Sequence, residues 1–293
     1  MSASDYNPGS DRAVTPLSPR VFEKSGFFAG IRLPLLLGLG AVGLSLLSLA
    51  IDPSAGRLPI FLGIFVAAAV SGISGLAFPL IAGPIFLLIY PAPQSVALTA
   101  MCSLTGQIFS IALLCRAIDY QHRIPLMAAG LLGVPLGSAL LCSCNPHAVR
   151  VAFGTLIVVS GVWRLLRVEA NPTHRPSILS EALVGLTGGL TGGLVGASSV
   201  VPAIWCAAAG LDKSQQRAVT QPYILTMQAA SLVSLWVWGA VDRSILGHYA
   251  DFVLPVLVGV GLGVAGFRGL SSSAATRVIM GAVTASGLSL LVF

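Results

Sequence analysis

Charged residues are scarce in this chain. They make up 9% of its 293 residues, whereas soluble domains carry roughly 25%. Hydrophobic residues make up 55%, and the mean hydropathy is +0.90. This balance excludes a soluble globular enzyme, a disordered chain and a disulfide-rich secreted module. It predicts an all-α, polytopic integral membrane protein whose partner is the lipid bilayer.

Other absences narrow the function. The sequence has neither a Walker phosphate loop nor a dinucleotide fingerprint, so direct drive by ATP is not expected. No Asp, Glu, Lys, Arg or His lies firmly inside an apolar run, which argues against a carboxylate-based antiporter or cation pump. The five cysteines fit small apolar residues better than metal ligands. We therefore expect no metal, no cofactor and no catalytic residue.

Long apolar runs are what the chain does contain. Residues 1–32 predict a disordered cytoplasmic tail, and residues 33–51 predict an extra N-terminal transmembrane helix. Two later runs, 79–90 and 200–210, are too short to cross a bilayer as ideal helices. Each follows a glycine-rich stretch and contains a proline, Pro84 or Pro202. The same broken arrangement therefore occurs twice.

Further matches extend this repeat along the chain. Their order is kept while their spacing drifts from 118 to 127 positions, as small loop insertions would produce. The sequence therefore predicts two transmembrane repeats, at 59–168 and 180–293. The matched pairs are Pro84 with Pro202, Thr99 with Thr220, Asp119 with Asp242, Arg150 with Arg277, and Ser160 with Ser286.

Basic residues predict how the repeats are oriented. If each broken segment crosses an even number of times, 13 of the 16 Lys and Arg residues lie inside and 3 outside. If each crosses once, the split is 9 against 7. The positive-inside rule favours the first arrangement, in which the second repeat is inverted. The net charge of +6 thus reflects orientation and not nucleic acid binding. Inverted repeats with discontinuous helices are typical of secondary transporters.

The helix breaks are the candidate substrate site, since unwound backbone is tolerated in a membrane only where protein, water or ligand satisfies it. We expect the breaks at 72–79 and 188–199, with a polar helix following each. Close helix packing and interhelical hydrogen bonding are the structural alternatives for the same residue types. The candidates at the breaks are Ser71, Gly72, Ser74, Gly75, Pro79, Thr191, Gly192, Gly193, Ser198 and Ser199. The candidates on the polar helices are Thr99, Ser103, Gln107, Thr220, Gln221 and Tyr223.

Two acidic residues and one serine have further interpretations. Asp119 and Asp242 stand at helix ends, where they would cap a turn or take part in gating. Ser74 lies in a Gly-Ile-Ser-Gly sequence like that of rhomboid intramembrane proteases, but all four histidines fall in loops, so no base is evident. A non-transporting accessory or assembly protein is the other alternative, although it would not need matched breaks.

The motifs follow a fixed order: a glycine-rich break that leads to a proline, a Val-Ala-x-Thr type of helix start, an x-Val-Asp turn, a proline-led helix and an Arg-x-x-x-Gly sequence. In this order, from Gly75–Pro84 onward, they resemble the TauE/SafE family of sulfite exporters over residues 59–293. The family's run of consecutive glycines is replaced by Gly-Leu-Ala-Phe-Pro in the first repeat and is interrupted by Leu194 and Val195 in the second. The first repeat carries the resemblance in Gly75–Pro84, Val96–Thr99, Ile118–Tyr120, Ile124–Pro125 and Arg150–Gly154. The second repeat carries it in Gly192–Gly196, Pro202, Ala218–Thr220, Val241–Asp242 and Leu254–Pro255.

The resemblance implies an anion transporter of the cytoplasmic (inner) membrane that moves sulfite, a sulfonate or a related sulfur-containing or organic anion. The expected partner is therefore a small anion. The altered glycine runs leave its identity open, and the sequence leaves open whether the chain forms a homo-oligomer.

Overall fold

The structure is a computed structural model that describes residues 57–114, 124–166, 177–211 and 213–267, with short helical pieces at 283–284, 286–288 and 290–291. The predicted tail at 1–32, the predicted helix at 33–51 and Asp119 lie outside the described residues. Within the described part the chain is all-helical. The helices are α1 (Arg57–Ser74), α2 (Phe78–Ile89), α3 (Ala92–Leu114), α4 (Ile124–Ser143), α5 (Pro146–Leu166), α6 (Ile178–Val195), α7 (Val200–Ala208), α8 (Lys213–Val237) and α9 (Arg243–Phe267).

Local sequence explains where several helices begin. Ser177 caps α6 in a reciprocal capping box with Ser180, each side chain accepting from the other residue's backbone N–H at 3.1–3.2 Å. The Asp242 carboxylate accepts from the backbone N–H of Ile245 at 2.8 Å and so caps α9. Asn145 accepts from the backbone of His147 at the start of α5. These contacts satisfy N–H groups that the first turn of a helix leaves without partners.

Two helix–helix interfaces lined with small residues, here called seams, join the first half of the described chain (α1–α5) to the second half (α6–α9). Helix α6 packs along α4, and α1 packs along α9. A Cβ added at Gly189 would overlap the carbonyl oxygen of Gly130, and one at Gly263 would overlap that of Ala69. Such close backbone contact is what small residues provide in membrane proteins. In each seam the first helix of one half meets the fourth helix of the other, so the two halves are interleaved.

Several helix bounds correct the sequence expectations. Helix α6 continues to Val195, so the glycine-rich stretch that we expected to open the second break is helical. Gly189 and Gly193 of this stretch face α4, Gly188 and Gly192 face the side of the second break, and the break itself is only Gly196–Ser199. The first break is similarly narrower, at Gly75–Ala77, because α1 continues to Ser74.

Four of the described helices are long and apolar enough to cross a membrane, judged by length and composition. They are Ala92–Leu113, Ile124–Ser143, Ile178–Val195 and Arg243–Gly266. Leucines 131, 132, 136 and 254 on two of these helices are 43–69% exposed, as expected of side chains that face lipid.

Candidate functional site

The first break lies between α1 and α2. Gly75 there has a φ of +80°, a backbone conformation that residues with a Cβ rarely adopt. Its N–H donates to the carbonyl of Ser71 at 2.6 Å. The Ser74 hydroxyl accepts from the backbone N–H groups of Leu76 and Ala77, at 3.4 and 3.2 Å. Ser74 therefore satisfies two backbone N–H groups of the turn that leads into α2.

The second break lies between α6 and α7. Gly196 has a φ of +73°, and its N–H donates to the carbonyl of Gly192 at 2.9 Å. The next N–H, of Ala197, donates to the carbonyl of Thr191 at 3.3 Å. A left-handed glycine followed by backward-reaching N–H groups is a common end of an α-helix. The Thr191 hydroxyl donates to the carbonyls of Ala197 and Gly188, which ties the turn to α6.

The two breaks are in direct contact inside the protein. The Ser199 hydroxyl donates to the carbonyl oxygen of Leu76 at 3.2 Å. Leu76 also packs against Ala203 of α7 and Ile224 of α8. Ser199 is 1% exposed and Leu76 is 8% exposed. Two breaks that are far apart in sequence thus meet as one buried region of irregular backbone.

One face of α3 runs past both breaks. Thr99, Ser103 and Gln107 are spaced four residues apart on one side of α3, and all three are buried. A Cβ at Gly196 would lie 3.3 Å from the methyl group of Thr99. Ser103 accepts from Nε2 of Gln228 at 2.6 Å, and Nε2 of Gln107 donates to the carbonyl of Gly75 at 2.6 Å. This face therefore contacts the second break, α8 and the first break in turn.

Arg217 corrects our expectation that no ionisable group lies in the interior. It is 4% exposed, and its Nη2 donates to the carbonyl of Gly72 at 3.2 Å and to the hydroxyl of Ser110 at 3.1 Å. Its Nε lies 3.1 Å from the position that a Cβ would take at Gly75. Glu181, in the first turn of α6, is also buried, at 8% exposure.

A signal in the repeat could have located Arg217. The count of basic residues put Arg217 on the cytoplasmic side, at the start of an apolar run, whereas α8 begins at Lys213 and includes it. Arg217 lies 121 positions after Val96, the same spacing as between Thr99 and Thr220. Val96 is buried in α3 beside the second break and Arg217 is buried in α8 beside the first, so the matched spacing was a signal for the position of the arginine.

Three predicted site residues lie in the seams. Tyr223 donates from its hydroxyl to the carbonyl of Gly185 at 2.7 Å and packs against α4. A Cβ at Gly193 would overlap the carbonyl oxygen of Val134, and one at Gly72 would lie 2.6 Å from that of Val260. Close packing and interhelical hydrogen bonding account for these positions.

The remaining predicted residues lie at or next to the breaks. Pro79 is in the first turn of α2, where its missing N–H costs nothing. The Thr220 hydroxyl donates to the carbonyl of Gln216 one turn earlier. Ser198 Oγ and Gln221 Nε2 are buried and have no hydrogen-bond partner within the described residues. Gating by Asp242 stays a prediction beside its capping contact.

Comparison with known proteins now bears on this arrangement. The family model described as Sulfite exporter TauE/SafE matches residues 60–290. The chain belongs to the TauE/SafE family. No curated protein and no solved structure matches it. The match spans both breaks and every candidate residue, and TauE/SafE membership together with the apolar helices makes the chain a multi-pass membrane protein of a transporter family.

Proposed function

We propose that this TauE/SafE protein is a secondary transporter that moves a small anion across the cell membrane by alternating access. The substrate class is a sulfur oxyanion or a sulfonate, which the family supports. The observation that carries the proposal is the contact between the two helix breaks, made by the Ser199 hydroxyl and the Leu76 carbonyl.

The physical reason is the cost of irregular backbone in a membrane. Unwound turns are tolerated only where protein, water or ligand satisfies their polar groups, and transporters use such turns to bind substrate between two repeats. Here both turns are buried, and side chains from α3 and α8 reach the first of them. The proposed site lies at this junction and draws on Thr99, Ser103, Gln107, Gln221, Ser198 and Ser199.

The interleaved helices support a two-unit mechanism. Helices α1 and α6 open the two halves, and each packs on the fourth helix of the opposite half. Such reciprocity is what a two-fold relation between repeats would give. With the 13-to-3 distribution of basic residues, it favours inverted repeats and a cytoplasmic N-terminus. Rocking of one half against the other would then open the junction to each side in turn.

Reconstitution into liposomes tests the function. Purified protein should release preloaded sulfite or methanesulfonate faster than protein-free liposomes, without any nucleotide, and acetate should move more slowly. Gly247 offers a control variant, because a Cβ there would meet nothing within 4 Å. Gly247→Ala liposomes should match the wild type. An accessory protein would move none of these anions on its own, and that result would overturn the proposal.

A further inference from the structure

The two breaks differ in how their backbone N–H groups are satisfied. At the first break, the Ser74 hydroxyl accepts from the N–H groups of Leu76 and Ala77. The residue 121 positions after Ser74 is Val195, whose side chain has no acceptor. The second break therefore has no counterpart of the Ser74 cap.

Ser199 does not supply the missing cap. It is the N-cap residue of α7, yet its side chain makes no capping hydrogen bond, because the hydroxyl donates to Leu76 in the first break. Among the described residues, the backbone N–H groups of Ser198 and Ser199 also find no acceptor. The start of α7 thus presents adjacent N–H donors at the positive end of a helix dipole.

Two buried side chains, one preceding these donors and one on α8 near the junction of the two breaks, also have unused hydrogen-bonding atoms. Ser198 directly precedes the N-cap and is 1% exposed, and its Oγ has no partner within the described residues. Gln221 is 4% exposed, and its Nε2 likewise has none. Gln221 lies one turn before Ile224, the α8 residue that packs against Ala203 of α7. Donors left unsatisfied in a buried site cost free energy unless a ligand uses them.

We propose that the second break is the anion-binding half of the junction. A small oxyanion accepts hydrogen bonds there from the N–H groups of Ser198 and Ser199, from the Ser198 hydroxyl and from Nε2 of Gln221. The first break is the anchoring half, because Ser74, Gln107 and Arg217 already engage its backbone. This inference rests on the proposed anion transport and assigns its substrate to one of the two breaks.

Equilibrium binding of radiolabelled sulfite to the purified full chain tests the assignment. Removing one hydrogen bond to a charged ligand weakens binding by about tenfold or more. We expect that loss in Ser198→Ala. Ser138 is the matched control, because its hydroxyl is also buried and without a partner in the described part of the chain but lies on α4 beside the Gly193 seam. Ser138→Ala should bind sulfite as the wild type does.

A second variant guards against misfolding. Gln221→Glu keeps the shape of the side chain and replaces its donor with a negative charge, so it should abolish sulfite binding while eluting as folded protein. Wild-type affinity in both Ser198→Ala and Gln221→Glu overturns the assignment, as does equal weakening in Ser138→Ala. If the wild type moves sulfite in liposomes but these variants bind it normally, only the assignment fails. If the expected binding pattern appears without any flux, the assignment stands and the transport proposal fails.

Discussion

Gly75 and Gly196 lie 121 positions apart and turn the chain in the same left-handed way, but their surroundings differ. The first glycine packs against the guanidinium of Arg217, and the second packs against the methyl group of Thr99. A serine caps the first break, whereas a valine stands at the matching position of the second. The comparison teaches that one backbone turn, made by a left-handed glycine, occurs at both breaks, and that the side chains around it differ from one break to the other.

The largest loss of folded protein should come from bulky substitutions in the seams, since these interfaces hold both breaks in place. Gly189→Leu inserts a side chain where even a Cβ would overlap the Gly130 carbonyl oxygen, so α4 and α6 must separate. We expect no folded, monodisperse protein by size-exclusion chromatography in detergent. Gly263→Leu should act in the same way through the α1–α9 seam.

Gly261 provides the control for the seam variants. It lies on the same helix as Gly263, but the nearest atom to an added Cβ is a ring carbon of Phe109 at 3.6 Å, an ordinary contact. Gly261→Ala should therefore fold normally and gain up to about 1 kcal/mol from helix propensity. If Gly189→Leu gave as much folded protein as Gly261→Ala, the seams would not be what holds the halves together.

A smaller loss of thermal stability is expected when Arg217, the side chain that distinguishes the first break, is replaced. Arg217→Gln removes the donor from the Gly72 carbonyl and the Ser110 hydroxyl, and each buried acceptor left without a partner costs about 1–3 kcal/mol. The Tm of the variant should fall, and sulfite flux should fall with it. Arg217→Lys should recover part of the Tm, because an ammonium group donates but lacks the planar fork of arginine.

The matching substitution in the other half gives the control for Arg217. Val96→Ala removes apolar volume beside the second break, which should cost less than the loss of the arginine because no buried acceptor is left without a donor. A Tm for Arg217→Gln equal to that of Val96→Ala would mean that the arginine does not anchor the first break.

The position of Arg217 is one feature that the sequence did not predict. Composition and apolar runs predicted an all-helical membrane protein, and the motif order predicted its family, because both depend on patterns that a single chain displays. The shared face of Thr99, Ser103 and Gln107 followed from helical spacing alone. The burial of Arg217 did not follow from the sequence. A charged residue near a polar helix start fits a solvent-exposed helix end equally well until the structure places the first break beside it.

Glycine-rich stretches were the other source of error. Gly188–Gly193 was expected to open the second break, because consecutive glycines permit an unwound turn. Two of these residues, Gly189 and Gly193, instead permit the backbones of α6 and α4 to touch, and only the position of α4 decides between these roles. The turn itself needs one left-handed glycine, Gly196, which follows the glycine-rich stretch by three residues. The glycine content of the sequence thus located the region of the second break, whereas the contact between α6 and α4 was required to locate the break itself.

The smallest predicted loss of stability comes from replacing a left-handed glycine by alanine, at each break and at one site outside them. Alanine in the left-handed conformation costs roughly 1–2 kcal/mol. Gly239 has a φ of +74° and nothing within 4 Å of an added Cβ, so Gly239→Ala reports this backbone strain alone. Gly196→Ala adds a tight contact with Thr99 at 3.3 Å, and Gly75→Ala adds one with Arg217 at 3.1 Å.

The three alanine variants should therefore lose thermal stability in a fixed order. Gly75→Ala should have the lowest Tm, because the guanidinium that must move is held by two hydrogen bonds. Gly196→Ala should come next, since a single methyl group can shift more easily, and Gly239→Ala should come last with sulfite flux near that of the wild type. Equal Tm values for all three would show that both breaks are loosely packed, and the division into an anchoring and a binding break would lose its structural basis.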